Sequence, residues 1–275
     1  MLQKDFEKIY QELKSYLIVA GENIKNLRKG PSFNITTKPD TTLVTNADYW
    51  ANEYLCSKLE SMFPNDVVIG EENEDKSYPA DAECVWFIDP IDGTKQYVTG
   101  SGRYFILIGL AIKGEPALGI SYTPLSGEFI CGGTGIVPFL EKDGSRTNLH
   151  PPEWPEKGQK LITRHLGSAF ENELKEEFGV TKQGYIPEYI QLLAPLFERS
   201  HGLIRKRKTY FWDLCAPAAI MKAAGYDFVM LDHQGFDVEF SGGNIFSSGY
   251  FSLPKSAPEQ LRTKIRAFMT AEVQS

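Results

Sequence analysis

The sequence predicts a protein of mixed class, with an α+β first half (residues 1–146) and an α/β second half (residues 147–275). In the first half, two helical patterns precede a series of short apolar strands, an order typical of α+β proteins. In the second half, helical and strand patterns alternate along the chain, which is typical of an α/β arrangement. A polar, proline-containing stretch from Thr147 to Lys160 separates the two halves.

Length and composition favour a globular protein with a sizeable core. The chain has 275 residues, of which 42% are hydrophobic, enough for one large domain or two closely joined ones. Its net charge of −7 predicts no general attraction to nucleic acid polymers or to membrane surfaces. There is no long apolar span, no signal-peptide pattern and no Cys-x-x-Cys pair. We therefore expect a cytoplasmic protein with free thiols.

The first two predicted elements are helices. From Leu2 to Leu27, apolar residues recur at helical spacing, and a Gly-Pro pair ends that pattern. A second helix begins after Thr45 or Asn46, because either side chain can cap it. Asp48 then lies in the first turn, where the helix dipole favours a negative charge.

The strands of the first half follow these helices. A short buried strand, Val67-Val68-Ile69, ends in Gly70-Glu71-Glu72. A second apolar run is expected to end at Pro90, because proline cannot donate to a sheet ladder. Turn signals between the later apolar runs predict a largely antiparallel sheet. These later strands are expected at residues 104–112, 117–122, 127–131 and 136–140.

The second half is predicted to alternate between strands and helices. Strands are expected at residues 161–163, 202–204, 228–230 and 238–240. Helices are expected at residues 169–178, 188–197, 213–224 and 258–268.

Two aspartates occur where the second strand of the first half ends, in the run Asp89-Pro90-Ile91-Asp92-Gly93-Thr94. Open α/β sheets bind ligands at such strand ends. Gly93 allows close approach of the backbone to a ligand, and Thr94 can begin a short helix whose free N–H groups attract an anion. Carboxylates beside exposed amides suit Mg²⁺ between protein and phosphate. A lone Asp-x-x-Asp would more simply cap a turn.

Other charged residues have two interpretations each. Glu71 follows a strand end, although it could belong to a solvated loop with Glu72. Asp213 begins a helix, where an aspartate is commonly a cap. The basic run Arg205–Lys208 is either solvated or lies at the rim of the site, where it would attract phosphate and contact a second phosphate. Lys38 either faces phosphate or is exposed.

The run from Asp89 to Thr94 resembles the signature of the inositol monophosphatase superfamily, which includes the bisphosphate nucleotidases. Trp212-Asp213 resembles the second signature of that family, with Pro217 where a small residue is usual. The resemblance implies a layered αβαβα fold and Mg²⁺-dependent hydrolysis of small phosphate esters, usually inhibited by Li⁺. It also implies two or three Mg²⁺ ions and, often, a homodimer.

By this resemblance, acidic residues of both halves would hold the metal ions. Glu71, Asp89 and the backbone carbonyl of Ile91 would bind one ion. Asp89, Asp92 and Asp213 would bind another. The first half would then carry most of the metal site, and the second half would complete it together with the substrate pocket.

The resemblance also assigns catalytic and phosphate-binding roles. Asp48 would act through Thr94 to hold and polarise the attacking water, and Glu71 would join them as a catalytic residue. Asp92 and the amides of Gly93 and Thr94 would contact the phosphate. Metal ions about 4 Å apart can activate a water and stabilise the leaving alkoxide, so no covalent nucleophile is required.

The substrate is expected to be a nucleotide bisphosphate. The run Gly-Thr-Lys-Gln-Tyr after Asp92 resembles that of bisphosphate nucleotidases, and Arg205 and Thr209 match the Arg-x-x-x-Thr spacing of that branch. Inositol-specific members have an acid where this chain has Lys206. The expected reaction is hydrolysis of the 3′-phosphate of adenosine 3′,5′-bisphosphate. The alternatives are an inositol monophosphatase or related sugar-phosphate phosphatase, and a non-catalytic relative that binds metal or nucleotide.

Overall fold

In a computed structural model of the chain, residues 5–101, 103–150, 153–184, 190–232, 234, 237–241 and 245–270 are described. Helices begin and end close to the positions that their apolar spacing predicts. They are α1 (Phe6–Lys29), α2 (Asn46–Met62), α3 (Thr94–Thr99), α4 (Ser168–Phe178), α5 (Phe211–Ala223) and α6 (Glu259–Thr270), with a 3-10 helix at Gln191–Phe197. None of the helices in these ranges has the length and apolar character needed to span a membrane.

The first half forms a seven-stranded sheet in sequence order. After the short hairpin β1 (Ile35–Thr37) and β2 (Leu43–Thr45), its strands are β3 (Val67–Gly70), β4 (Cys84–Asp92), β5 (Phe105–Ile112), β6 (Glu115–Thr123), β7 (Glu128–Gly133), β8 (Ile136–Lys142) and β9 (Ser145–Asn148). β3 pairs in parallel with β4, and the other pairs are antiparallel. The prediction of a largely antiparallel sheet is therefore confirmed. The polar, exposed edge strand β9 was not predicted because it has no apolar alternation.

The second half forms a five-stranded sheet in the order β11-β10-β12-β16-β14. Its strands are β10 (Lys160–Arg164), β11 (Thr181–Gln183), β12 (Gly202–Arg205), β14 (Tyr226–Leu231) and β16 (Gly249–Pro254), and a separate pair joins β13 (Thr209–Tyr210) to β15 (Phe246–Ser247). β10, β11 and β12 are parallel to one another, whereas β16 is antiparallel to both of its neighbours.

The predicted end of β4 at Pro90 is wrong, because the strand continues to Asp92. Asp89 pairs with Leu107 and Asp92 pairs with Phe105, so two residues of β4 lie opposite one residue of β5. This β-bulge accommodates the proline, since a bulged residue needs no ladder hydrogen bond. The bulge also turns the chain just where the two aspartates occur.

Two further predictions in the second half differ from the structure. The strand expected at residues 238–240 is replaced by isolated bridges at Asp237 and Phe240. The sheet instead contains β16, which was not predicted because its sequence includes a Gly, a Ser and a Pro. The helix expected at residues 188–197 is a 3-10 helix where it is described, and residues 185–189, like residues 1–4, lie outside the described residues.

Alternate residues of β4 face two different helical layers. Trp86 and Ile88 pack in a cluster with α1 and α2, whereas Val85 and Phe87 pack in a cluster with α5. The five-stranded sheet covers the other side of α5, and its far face packs against α4 and α6. The layers are therefore α1 and α2, the seven-stranded sheet, α5, the five-stranded sheet, and α4 and α6. This order confirms the predicted αβαβα sandwich.

Two glycines bring α5 very close to the seven-stranded sheet. A Cβ atom at Gly119 would lie 2.0 Å from the carbonyl oxygen of Ala216, and one at Gly109 would lie 2.5 Å from its nitrogen. Neither distance leaves room for a side chain. The close approach fixes α5, and with it Asp213 in its first turn, against the sheet that carries Asp89 and Asp92.

Candidate metal centre and phosphate site

Three aspartates from both halves converge at one point. Asp89 and Asp92 come from the bulged end of β4, and Asp213 comes from the first turn of α5. One carboxylate oxygen from each residue lies within 4.8 Å of the others. Oxygen donors at this spacing suit a hard cation such as Mg²⁺.

Backbone groups hold two of these carboxylates in place. Asp89 Oδ1 accepts a hydrogen bond of 2.9 Å from the N–H of Ile91, across the bulge. Asp213 Oδ2 accepts one of 3.3 Å from the N–H of Tyr210, which precedes α5. In each residue, the described hydrogen bonds leave the second carboxylate oxygen available to a cation.

Electrostatics within the cluster favour a bound cation. Burial, followed by repulsion from neighbouring carboxylates, raises the pKa of Asp89 well above its usual range. The same causes raise the pKa of Asp213 to about 8. Burial and the charge of Glu71 raise the pKa of Asp92 to about 6. Ionised carboxylates at this distance repel each other, and a divalent cation between them removes the repulsion. The donor set therefore fits Mg²⁺.

Glu71 lies near this cluster and is paired with a lysine. Its carboxylate adds to the repulsion that raises the pKa of Asp89. Lys38 Nζ donates to Glu71 Oε1 at 2.9 Å and to Glu72 Oε1 at 2.6 Å, and its side chain is only 19% exposed. The simpler expectation of an exposed Lys38 is therefore wrong. Lys38 neutralises two glutamates at the edge of the site.

Asn52 holds the turn that carries Glu71, a role that sequence reasoning missed. Its Oδ1 accepts a hydrogen bond of 3.2 Å from the N–H of Glu72, and its Nδ2 donates to Asn73 Oδ1 at 2.7 Å. Gly70 is required there, because a Cβ atom would lie 2.1 Å from Asn52 Oδ1. The signal available in the sequence was an asparagine four positions after Asp48, which places both residues on the same face of α2.

The structure brings the predicted pair Asp48 and Thr94 together. Thr45, one of the two predicted caps of α2, accepts a hydrogen bond of 3.2 Å from the N–H of Ala47. In return, Asp48 Oδ2 accepts hydrogen bonds from the N–H and hydroxyl of Thr45, at 2.8 and 2.6 Å, which completes a capping box. Thr94 Oγ1 lies 3.4 Å from Asp48 Oδ1 and 3.1 Å from the carbonyl oxygen of Ile91. Its single proton can satisfy one of these acceptors at a time. Burial raises the pKa of Asp48 to about 6.

The predicted phosphate loop forms the start of α3. Gly93 precedes this helix with a φ of 95°, a left-handed conformation that favours glycine. Tyr97 anchors the helix to α1, since its buried hydroxyl donates to the carbonyl oxygen of Ile24 at 2.8 Å. The N–H groups at the start of α3 thus lie at a fixed position next to the aspartate cluster.

A cavity of about 290 Å³ opens beside Asp92, Gly93 and Asp213. Arg205 and Thr209, both predicted to bind substrate, also line it. Its lining is completed by Gln96, Arg103, Phe105, Ile190, Gln191, Leu192 and Tyr250. Arg205 adds positive charge to the cavity. This charge lowers the pKa of Asp92 and of Asp213, and so offsets part of the increase caused by burial and repulsion.

Lys206 was predicted to bind substrate, but the structure places its side chain away from the cavity. It does not line the cavity, and its Nζ donates to the carbonyl oxygen of Phe268 at 2.9 Å and lies 4.6 Å from the Phe268 ring centroid. Side chains of successive residues in an extended chain point to opposite sides. Arg205 therefore reaches the cavity while Lys206 packs on α6.

Comparison with known proteins agrees with this architecture. A model of the inositol monophosphatase family matches residues 5–267. A solved structure of an IMPase/NADP phosphatase complexed with Mg²⁺ and phosphate superimposes with a TM-score of 0.76, at 17% identity, over 98% of each chain. At that identity, the superposition supports the fold alone.

Two bacterial relatives are 3′(2′),5′-bisphosphate nucleotidases named CysQ. The chain is 32% identical to that of Haemophilus influenzae over 117 residues, which is 41% of this chain and 44% of the relative. It is 28% identical to that of Buchnera aphidicola over 229 residues, 81% of this chain and 83% of the relative. The matches to three relatives, the Haemophilus protein among them, span only 37% to 49% of those proteins' lengths. Taken with the family match over almost the whole sequence, these findings show that the chain belongs to the inositol monophosphatase family of metal-dependent phosphatases.

Proposed function

We propose that this protein is a Mg²⁺-dependent phosphomonoesterase that removes the 3′-phosphate of adenosine 3′,5′-bisphosphate. The observation that carries the proposal is the convergence of Asp89, Asp92 and Asp213 beside a cavity that also contains Gly93 and Arg205. Acidic ligands for a cation thus lie next to groups that attract phosphate. The names of the bacterial relatives support a nucleotide as substrate.

The metal ions would be held by residues from both halves. We assign Asp89, Asp92 and Asp213 to one ion, and Glu71, Asp89 and the carbonyl oxygen of Ile91 to a second. Glu71 would need to exchange its contact with Lys38 for the cation. When bound, the ions would supply positive charge for the phosphate and lower the pKa of a water molecule.

The chain's own groups would orient the reactants. Thr94 can accept a hydrogen bond from the attacking water while its proton is directed to Asp48 Oδ1. The amides of Gly93 and Thr94 would bind phosphate oxygens. Arg205 would attract the dianionic substrate into the cavity.

The division at residue 147 remains part of this proposal. Residues 1–146 would supply Glu71, Asp89 and Asp92, and residues 147–275 would supply Asp213 and Arg205. A homodimer and a cytoplasmic location also stay predictions. The cysteines of the chain are free thiols, which is the state that the reducing cytoplasm favours.

Substrate comparison tests the proposal. Phosphate release would be measured with Mg²⁺ from adenosine 3′,5′-bisphosphate and from inositol 1-phosphate, each with and without Li⁺. We expect a strong preference for the nucleotide and inhibition by Li⁺. Preference for inositol 1-phosphate would instead support the inositol monophosphatase alternative. Absence of release from either ester, with Mg²⁺ bound, would favour a different phosphate ester or a non-catalytic relative.

A further inference from the structure

A loop beside the metal centre connects the two halves of the chain. This segment, Glu71–Tyr78, follows β3 and is called the Glu71 loop here. Asn73 fixes its first part to α2, because Asn73 Oδ1 accepts a hydrogen bond of 2.7 Å from Asn52 Nδ2 and one of 3.6 Å from Cys56 Sγ. The N–H of Asn73 also donates to the carbonyl oxygen of Gly70 at 3.1 Å. The start of the loop is therefore held by the first half.

Lys76, further along the Glu71 loop, reaches α5 in the second half. Its Nζ donates to the carbonyl oxygen of Asn73 at 2.5 Å, which closes the loop on itself. The same Nζ lies 5.8 Å from the centroid of the Trp212 ring, within the range of a cation–π contact. Trp212 is buried, and such contacts are stronger where water is excluded. Lys76 thus joins the Glu71 loop to the first turn of α5.

Trp212 directly precedes Asp213 and packs on the residue that caps α5. The rings of Trp212 and Tyr210 are stacked, with centroids 4.5 Å apart and planes at 9°. Tyr210 donates the backbone hydrogen bond that Asp213 Oδ2 accepts. Tyr210 also meets Phe246 of β15 edge to face, with centroids 6.3 Å apart. A row of contacts therefore runs from Lys76 past Asp213 to β15.

This row bears on the metal centre because the two proposed ions take ligands from both sides of it. Glu71 belongs to the loop and Asp213 belongs to α5. Residues 72–78 form no strand or helix, so side-chain contacts with α2 and with Trp212 decide how the loop lies relative to α5. Lys76 is not part of the described lining of the cavity at the aspartate cluster. Its influence would therefore pass through Trp212 and not through the substrate.

We propose that Lys76 is a positioning residue of the metal centre, which holds the Glu71 loop, through Trp212, at the separation from Asp213 that lets both ions bind. The inference rests on the ion assignments of the proposed function, which give Glu71 to one ion and Asp213 to the other. It adds that the two ions bind cooperatively. The ion at Glu71 orders the loop whose lysine steadies Trp212 beside Asp213, and by linkage the effect is reciprocal.

Binding of Mn²⁺ to metal-free protein, without substrate, tests this role. The electron paramagnetic resonance signal of free Mn²⁺ reports binding independently of catalysis. Wild-type protein should bind two ions cooperatively. Lys76→Met keeps a long unbranched side chain but loses the charge and the hydrogen bond, so we expect an affinity about 3- to 30-fold weaker for at least one ion and a loss of cooperativity. Lys76→Arg should bind Mn²⁺ almost as wild type does, since a guanidinium also donates hydrogen bonds and stacks on aromatic rings.

Lys58→Met is the matched control. Lys58 is partly buried like Lys76, and its Nζ lies 5.5 and 5.4 Å from the ring centroids of Tyr16 and Tyr54, so the change removes the same kind of contact outside the Glu71 loop. It should bind Mn²⁺ as wild type does. Thermal melting in EDTA should be alike for Lys58→Met and Lys76→Met, which separates positioning from a general loss of stability.

A double-mutant cycle tests whether Lys76 acts through the ring. Lys76→Met should have no further effect on Mn²⁺ affinity when it is combined with Trp212→Leu, because the contact is already absent. An effect of full size in that background would overturn the proposed route. If Trp212→Leu does not fold, the comparison of Lys76→Met with Lys76→Arg decides, and equal losses of affinity in these two variants would overturn the positioning role.

The outcomes distinguish this inference from the proposed function. Equal Mn²⁺ affinity and cooperativity in wild type and Lys76→Met, or a single bound ion in wild type, would overturn the inference even if wild-type protein releases phosphate. If the Mn²⁺ results are as expected but wild-type protein releases phosphate from neither adenosine 3′,5′-bisphosphate nor inositol 1-phosphate, the proposed function fails and the positioning role stands.

Discussion

At the scale of single residues, the site brings together carboxyl groups whose burial and mutual repulsion the nearby Arg205 only partly offsets. Asp89 is only 2% exposed and lies within reach of Asp92 and Asp213. Buried like charges raise each other's pKa, so the cluster is poorly stable when ionised and metal-free. Structural stability alone does not account for this arrangement, whereas a bound cation would.

Asp89 and Asp92 were predictable from local sequence because they follow an apolar strand. Asp213 begins a helix, where an aspartate is commonly a cap, and its assignment to the cluster came from the resemblance to the family. The role of Asn52 was missed, and Lys38 was expected to be exposed. Both side chains act through contacts with Glu71 or its neighbours, which lie far away in the sequence. Local sequence shows that Asn52 shares a helix face with Asp48, but it does not show which distant residues either side chain contacts.

Replacing Asp89 by asparagine should abolish catalysis without unfolding the protein. We expect phosphate release to fall about 1,000-fold or more, because the change removes a charged ligand from the cation site. Apo protein should be at least as stable as wild type, since one buried charge disappears. Steady-state kinetics and thermal melting measure the two effects. Asp81→Asn is the control, because Asp81 is exposed, and it should change neither phosphate release nor the melting temperature. Full activity in Asp89→Asn would disprove the assignment of Asp89 as a cation ligand.

Thr94→Val tests the proposed role of the threonine hydroxyl. Valine keeps the shape but can neither donate to Asp48 nor accept a hydrogen bond from water, so kcat should fall about 100-fold or more. Thr94→Ser keeps the hydroxyl and should retain most of the activity. Equal activity of the valine and serine variants would show that the hydroxyl plays no part in the reaction.

At the scale of elements, amphipathic helices and apolar strands were predicted well, and irregular elements were not. α1, α2 and α6 have a clear apolar face, which fixes their position in the sequence. β16 contains Gly, Ser and Pro and is recognised only through its pairing with β12 and β14. The bulge at Pro90 was missed because proline normally ends a strand, whereas here β5 continues to pair beyond it.

Gly119→Ala tests whether the contact between α5 and the sheet positions the metal centre. The added Cβ would lie 2.0 Å from the Ala216 carbonyl oxygen, so α5 must move away from β6. We expect a loss of about 1–3 kcal/mol in the free energy of unfolding. The Mg²⁺ concentration needed for half-maximal activity should also rise, because Asp213 moves with α5.

Denaturant unfolding and Mg²⁺ titration of activity measure these effects. Gly184→Ala is the matched control, because a Cβ atom added there would have no other atom within 4 Å and its φ is not left-handed. If the Mg²⁺ dependence of Gly119→Ala is unchanged, the contact between α5 and the sheet does not determine the geometry of the metal centre.

At the scale of the whole molecule, the site joins the two halves of the chain. Asp89 and Asp92 belong to the seven-stranded sheet, while Asp213 and Arg205 belong to the second half. One continuous hydrophobic cluster around α5 contains residues from both sheets. The layered fold followed from the resemblance to a family, since the predicted elements alone did not specify how the two sheets stack.

Coupling between protonation, metal binding and stability follows from this arrangement. Asp213 has a pKa of about 8 in the folded protein, above that of an unfolded aspartate. Between those two values the folded state binds more protons, so stability must fall as pH rises. For metal-free protein we expect a loss on the order of 1 kcal/mol between about pH 6.5 and 8.

Chemical unfolding in EDTA at several pH values measures this loss. Asp213→Asn should lose less stability over the same range, and the comparison cancels contributions from histidines and thiols. Saturating Mg²⁺ should remove or reverse the trend, because the cation binds the ionised carboxylates. Identical pH profiles for wild type and Asp213→Asn would contradict the assignment.

Location of the cation tests the central claim most directly. Crystals grown with Mn²⁺ in place of Mg²⁺ would be measured at a wavelength where manganese scatters anomalously. We predict an anomalous peak between the carboxylates of Asp89, Asp92 and Asp213, and its loss in Asp89→Asn. A peak elsewhere in the molecule, or no peak at a Mn²⁺ concentration that supports phosphate release, would contradict this account of the site.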